Sequence, residues 1–311
     1  MNKTRSFSLT EFPIKIVALL FMTLDHIGVF LLSYIAKGSL SSDLTTLADV
    51  FRIIGRLAYP LFAFMLIEGM RHTKSQPKYI LRIAALLAVM LGVEAVFIYG
   101  FNLGALQMNP WTDLFLGAAT IYFLDHLKKE GKEKWMALLA ILPLAYSGLS
   151  FGLRLYEAAN PLTTVIWLPS FLRADYSLLG SFMVLGYYFS YYVTDAFSKK
   201  NCKIMGVPFE AYKDSEDYQK SANLFASASL VIVIVLFWGL SFIGYNPNTG
   251  TKPYDVYNMG LEAYCLIDLA FLYLYNGKRG YNSKIFQYGS YLYFPLHIAI
   301  LFLIFVLKFG L

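Results

Sequence analysis

Two stretches place reactive side chains where charge is costly. Residues 15–28, KIVALLFMTLDHIG, carry Lys15, Asp25 and His26; residues 51–71, FRIIGRLAYPLFAFMLIEGMR, carry Arg52, Arg56, Glu68 and Arg71. Both are otherwise apolar enough to cross a bilayer, and ionisable groups at that depth mark substrate or ion paths by default. Lys15 and His26 are eleven residues apart, three helical turns, so they share a face and lie roughly 16 Å apart along the axis. An ammonium at the membrane edge and an imidazole near the middle suit an extended ligand with phosphates at one end and a reactive group at the other. Acetyl-CoA has that form. On this reading Lys15 and the loop after Glu68, with Arg71, hold the phosphates. His26 then acts as general base on an amine or hydroxyl acceptor, or as transient acyl carrier. Arg56 and Arg52, one turn apart on one face, bind an anionic group or stabilise the oxyanion.

Each of these residues also has a structural reading. Lys15 suits a snorkelling residue on the cytoplasmic side, or an ion pair with Glu68, which comes to its depth. His26 suits a hydrogen-bonded core residue, and the arginines suit pairing with Asp25, Asp49 or Glu94. Adjacent helical residues point about 100° apart, so Asp25 is expected to reach a neighbouring helix rather than orient His26. Of the four histidines, His72 and His126 fall in basic connectors, whereas His26 and His297, in YLYFPLHIAIL, fall inside apolar segments. His297 therefore joins Asp25, His26 and Arg56 as a catalytic candidate. Asp268, deep in another apolar segment, is a cavity candidate beside it. Asn109, Asp113 and Asp175 stand where helices begin and are expected to be caps.

The elements that must position these groups follow from composition. Of 311 residues, 58% are hydrophobic and 15% charged, and the mean hydropathy is +0.54, outside the soluble globular range. The fold class is all-α, a polytopic transmembrane bundle forming a single integral-membrane domain over residues 1–311. Nine apolar segments reach spanning length: 14–36, 48–70, 79–101, 110–126, 134–150, 176–194, 222–245, 257–276 and 288–309. Residues 161–172, a dozen long and interrupted by Pro169, read as re-entrant or interfacial, with ten crossings as the upper count. Pro60 should break the second segment after Tyr59.

Basic residues fall on one side when the N-terminus is cytoplasmic: Lys3 and Arg5, then Arg71 to Arg82, Lys128 to Lys134, Lys199 to Lys220, and Lys278 to Lys284. This places the chain in the inner, cytoplasmic membrane, with residues 195–221 as a long cytoplasmic loop. The net charge of +6 is thus explained without nucleic acid. Two cysteines in unlike surroundings give neither a disulfide framework nor a metal cluster. Tyr187, Tyr188, Tyr191, Tyr192, Tyr291 and Tyr293 read as interfacial aromatics.

KIVALLFMTLDHIG, FRIIGRLAYPLFAFMLIEG with RHTKSQPKYILR, NPWTDLFLG, RADYSLLGSFMVLGYYF and YGSYLYFPLHIAIL resemble, in order, the blocks of the TraX family. The lysine-x10-histidine spacing is also similar to a motif of the broader membrane acyltransferases that modify sugars. That group spaces its arginine pair as RxxR, whereas Arg52 and Arg56 have three residues between them. The family's founding member acetylates the N-terminus of a conjugative pilin. The resemblance implies an acetyl-CoA-dependent transferase acting on a peptide, pilin-like or glycan acceptor in contact with membrane lipid. The rival expectation is a transporter or flippase for a small polar or lipid-linked substrate; the lack of internal repeats counts against it.

Overall fold

The computed structural model describes residues 8–101, 109–130 and 133–310, with the side chains of 127–130 and 133–137 left aside. Lys3, Arg5 and Lys132, and the side chains of Lys128, Lys129 and Lys134, lie outside that description. The regular elements of the described residues are helices, and their only β pairing consists of two isolated bridges. Twelve α-helices follow in order: α1 (Glu11–Ala36), α2 (Thr45–Gly55), α3 (Ala58–His72), α4 (Gln76–Ala95), α5 (Trp111–Glu130), α6 (Glu133–Ala159), α7 (Ser177–Met205), α8 (Phe209–Lys213), α9 (Glu216–Ser241), α10 (Met259–Glu262), α11 (Leu269–Leu274) and α12 (Lys284–Phe309).

Among the described residues six helical segments are long and apolar enough to cross a membrane: 11–36, 42–72, 76–100, 138–159, 216–241 and 284–309. The chain is a membrane protein, and the expected count of nine is not confirmed. α7 has the length, but serines, tyrosines and lysines lower its hydropathy. The 257–276 segment is not one helix: α10 and α11 are short and joined by a tighter turn over Ala263–Asp268. Residues 160–169 are irregular and present Leu162, Ile166 and Trp167 outward. The expected loop 195–221 is mostly helical. α7 continues to Met205 and stops at Gly206, whose left-handed φ of 68° suits glycine; α9 starts at Glu216, capped by Ser215 accepting from the Tyr218 N–H.

α3 is the central helix. From Ala58 to Met70 nearly every side chain is buried, as a helix apolar on all faces must be. α4, α6, α9 and α12 instead turn Leu81, Leu142, Ile232 and Leu303 outward, the faces available to lipid tails. The expected aromatic belt is overturned on α7, where Tyr187, Tyr188 and Tyr191 are buried.

The break between α2 and α3 falls at Arg56–Leu57, four residues before Pro60 rather than after Tyr59. The physical cause is the same proline. Its ring would meet the carbonyl four residues back and it has no N–H to bond it, so it fits only in the first turn of a new helix. α1 and α2 lie close because two glycines face the partner helix. A Cβ on Gly28 would come within 2.9 Å of the Ala48 carbonyl oxygen, and one on Gly55 would overlap the Asp25 side chain.

Candidate functional site

α1 and α12 meet at two polar contacts three residues apart on α1 and four apart on α12. The Tyr293 hydroxyl bonds Thr23 Oγ1 (2.7 Å), which donates to the Leu19 carbonyl (2.8 Å). One turn deeper, His26 Nδ1 lies 2.6 Å from His297 Nε2, and His297 Nδ1 lies 2.9 Å from the Tyr293 carbonyl. Both imidazoles are buried, and their ring planes are nearly parallel at 12°. The two membrane histidines singled out in the sequence are therefore direct partners.

His26 faces a cavity of about 280 Å³ whose wall includes Asp25, Arg52, Arg56, Arg154, Asp175 and Glu262. Each oxygen of Asp25 takes one guanidinium: Oδ2 from Arg52 at 2.5 Å and Oδ1 from Arg56 at 2.6 Å. Arg56 also reaches Glu262 at 2.6 Å, and Arg154 reaches Asp175 at 3.2 Å. Three cations thus meet three carboxylates. Burial pushes the Asp175 carboxyl above its ordinary range, while Arg154 and the Asn109 N–H pull it back. Tyr59 and Tyr176, stacked with ring centres 3.9 Å apart, form another part of the wall.

A second cavity of about 500 Å³ lies toward the start of α1. It takes Glu11, Lys15 and Leu19 from α1, where the first takes Met22, Asp25 and His26. The same order holds on α3, with Met65, Leu66, Gly69 and His72 lining the second cavity and Ala58 and Tyr59 the first. The two therefore sit end to end along the helix axes. Phe62 and Phe294 line both, with ring centres 6.1 Å apart. Lys15, Lys74, Lys78, Arg82 and Arg279 face the second cavity against a single carboxylate, Glu11. Arg279 donates to the His72 carbonyl (2.8 Å), and Lys15 sits 5.8 Å above the Phe286 ring.

Glu68 and Arg71 are not with Lys15. Glu68 is buried, accepting from Tyr191, from Tyr275 at 2.8 Å and from Arg71 at 3.1 Å, and Arg71 lies 3.4 Å over the Tyr191 ring. Both line a third cavity of about 880 Å³ beside α9. The expected Lys15–Glu68 pair does not form because Glu68 points to the α7 side of α3. Arg52 likewise sits in the His26 cavity, not with Lys15. Asp268 lies outside the linings of all three cavities, fully buried with neither oxygen hydrogen-bonded. Of the expected caps, Asn109 serves its own helix start, its Oδ1 accepting from the Trp111 N–H (3.2 Å), whereas Asp175 accepts from the Asn109 N–H (2.7 Å) and Asp113 from the Tyr176 N–H (3.0 Å), each across to another helix start.

Sequence reasoning missed Glu262, the second anchor of Arg56. An acidic residue beside the apolar run LEAYCLID was its only signal. It also counted Arg82 and Arg279 only as markers of orientation, and took in Lys74 and Lys78 only as part of the loop after Glu68.

Residues 12–194, more than half of the chain, match the family described as TraX protein. The chain belongs to the TraX family. The matched segment carries His26, Arg52 and Arg56, whereas Glu262 and His297 lie beyond it. The chain is also similar to the probable fimbrial assembly protein FimC, serogroup H1, of Dichelobacter nodosus, 26% identical over 300 residues that cover 96% of each chain. None of the solved structures matches this TraX chain.

Proposed function

We propose that this protein is a membrane acetyltransferase that moves acetyl from acetyl-CoA to an amine or hydroxyl. The observation that carries the reading is the His26–His297 pair beside the Phe62–Phe294 junction of two cavities of unlike charge. The donor's phosphates fit the cation-rich cavity, with Lys15, Lys78 and Arg82 as partners and aromatic rings such as Tyr281 and Phe286 beside them. The pantetheine arm follows α1 toward Phe62 and Phe294 and brings the thioester to His26.

The acceptor enters the smaller cavity. Every guanidinium there already holds a carboxylate, so an acceptor carrying a carboxylate or phosphate finds no free cation, while hydroxyls and amines find acceptors in Asp25 and Glu262. His26 removes a proton from the acceptor as its nitrogen or oxygen attacks the thioester carbonyl. The tetrahedral intermediate then collapses, the carbon–sulfur bond breaks, and the His26 proton passes to the departing thiolate. Three of the five N–H groups of Arg56 bond Asp25, Glu262 and the Arg52 carbonyl, which leaves two for the oxyanion.

With the N-terminus cytoplasmic, in the inner membrane, the donor enters from the cytoplasm and the acceptor is modified at the opposite face. The name of the fimbrial relative, together with the family, supports a pilin-like peptide N-terminus as acceptor. The test uses purified protein in sealed liposomes with labelled acetyl-CoA on one side. Transfer to an amine-bearing peptide is expected, and His26→Ala should lower it by about 10²-fold or more. Transfer at the wild-type rate by that variant, or solute counterflow with no acyl-CoA turnover, would overturn the reading.

A further inference from the structure

We infer that His297 is a positioning residue that fixes the tautomer of His26 and leaves His26 Nε2 as the bare, proton-accepting nitrogen. The inference rests on the reading above for its catalytic meaning, but the tautomer itself follows from the hydrogen-bond chain.

The chain starts at an atom with no choice. The Tyr293 carbonyl oxygen can only accept, so the 2.9 Å contact puts a proton on His297 Nδ1. A neutral imidazole carries one N–H, which makes His297 Nε2 a lone pair. The 2.6 Å contact from that nitrogen to His26 Nδ1 then requires His26 Nδ1 to be the donor. The single proton of His26 is thereby used, and Nε2 is left bare beside the cavity that His26 lines.

The alternative, a cationic His297 donating from both nitrogens, would reverse the arrangement. It is disfavoured by place: His297 is 5% exposed and His26 4%. The nearby carboxylates Asp25 and Glu262 are already bonded to Arg52 and Arg56. An added cation there would be buried without a counter-charge, a strongly disfavoured state. The anchor is itself held, because Tyr293 stacks on His297 at 8° and its hydroxyl reaches Thr23 on α1. Thr23 gives its one proton to Leu19, so the Tyr293 hydroxyl is the donor in that bond. Two contacts thus lock α12 to α1 in the register that sets the histidine.

The role assigned to His297 differs from that of a base or acyl carrier. It needs an acceptor atom at Nε2, not a titrating ring. His297→Gln supplies an oxygen near that place, whereas His297→Leu supplies nothing. Nitrogen-15 solid-state NMR of histidine-labelled protein in lipid bilayers reads the tautomer directly, with His26→Ala assigning the signal. The expected result is a protonated Nδ1 and bare Nε2 on His26 in the wild type and in His297→Gln, with mixed tautomers in His297→Leu. In the transfer assay His297→Gln should keep kcat within about tenfold and His297→Leu should lose about 10²-fold, with the donor KM unchanged in both. A protonated Nε2 on wild-type His26 overturns the inference. So does a His297→Gln enzyme as inactive as His297→Leu, which would make His297 a reacting group. A wild-type protein with the tautomer in place but no acyl transfer would overturn the function alone.

Discussion

The two end-to-end cavities use the same residue types to opposite purpose. In the His26 cavity three guanidiniums are closed onto three carboxylates at 2.5 to 3.2 Å, and the network ties α1, α2 and α10 together and links Arg154 of α6 to the start of α7. In the Lys15 cavity five cations face one carboxylate, and among the described residues Lys15, Lys74, Lys78 and Arg82 make no ion pair with a carboxylate. A buried cation paired within the fold holds helices in place; a cation left open at a cavity mouth is available to an anionic ligand. Charge counting from sequence treats the two alike.

Breaking the closed network should have the largest effect. Arg56→Leu leaves Glu262 without its cation and takes one of two from Asp25, so a loss of about 3–5 kcal/mol is expected, read as a lowered midpoint of thermal unfolding in detergent. An unchanged midpoint would mean that the pair contributes nothing to the fold. Gly55→Ala attacks the same network by volume, because the added methyl meets Asp25; a cost of about 1–3 kcal/mol is expected. Binding of the proposed donor would separate the cavities from the other side. Lys78→Ala should raise the donor KM by about tenfold, leave kcat and the unfolding midpoint near wild type, and weaken the salt dependence of binding. The smallest effect belongs to Lys220→Ala, since the exposed Lys220–Asp217 pair at 3.8 Å should be worth under about 0.5 kcal/mol by the same unfolding assay. A Lys78→Ala protein that unfolds early with an unaltered KM would erase the distinction between the cavities.

The helical step that turned Asp25 away from His26 toward a neighbouring helix held, and of the pairings with Asp25, Asp49 and Glu94 left open for Arg52 and Arg56, the one with Asp25 forms. Counting depth did less well. It misplaced Glu68 relative to Lys15, since equal depth says nothing about which side of α3 a carboxylate leaves from; Tyr191 and Tyr275 decided that. The same limit let α7 be read as an interfacial tyrosine helix when Tyr187, Tyr188 and Tyr191 are interior. The segment 257–276 was apolar enough for a crossing, yet hydropathy does not register where a helix breaks.

By itself the sequence determined that the chain is helical and membrane-embedded, that Lys15 and His26 share one face, and that Pro60 interrupts the second segment. These are local matters of hydropathy, helical period and ring sterics. Only the tertiary structure decided that His26 and His297, 271 residues apart, touch, that Glu262 completes the arginine network, and that Phe62 and Phe294 stand between two cavities. Those facts depend on which helix faces pack together, and faces are chosen by the whole bundle rather than by any one segment.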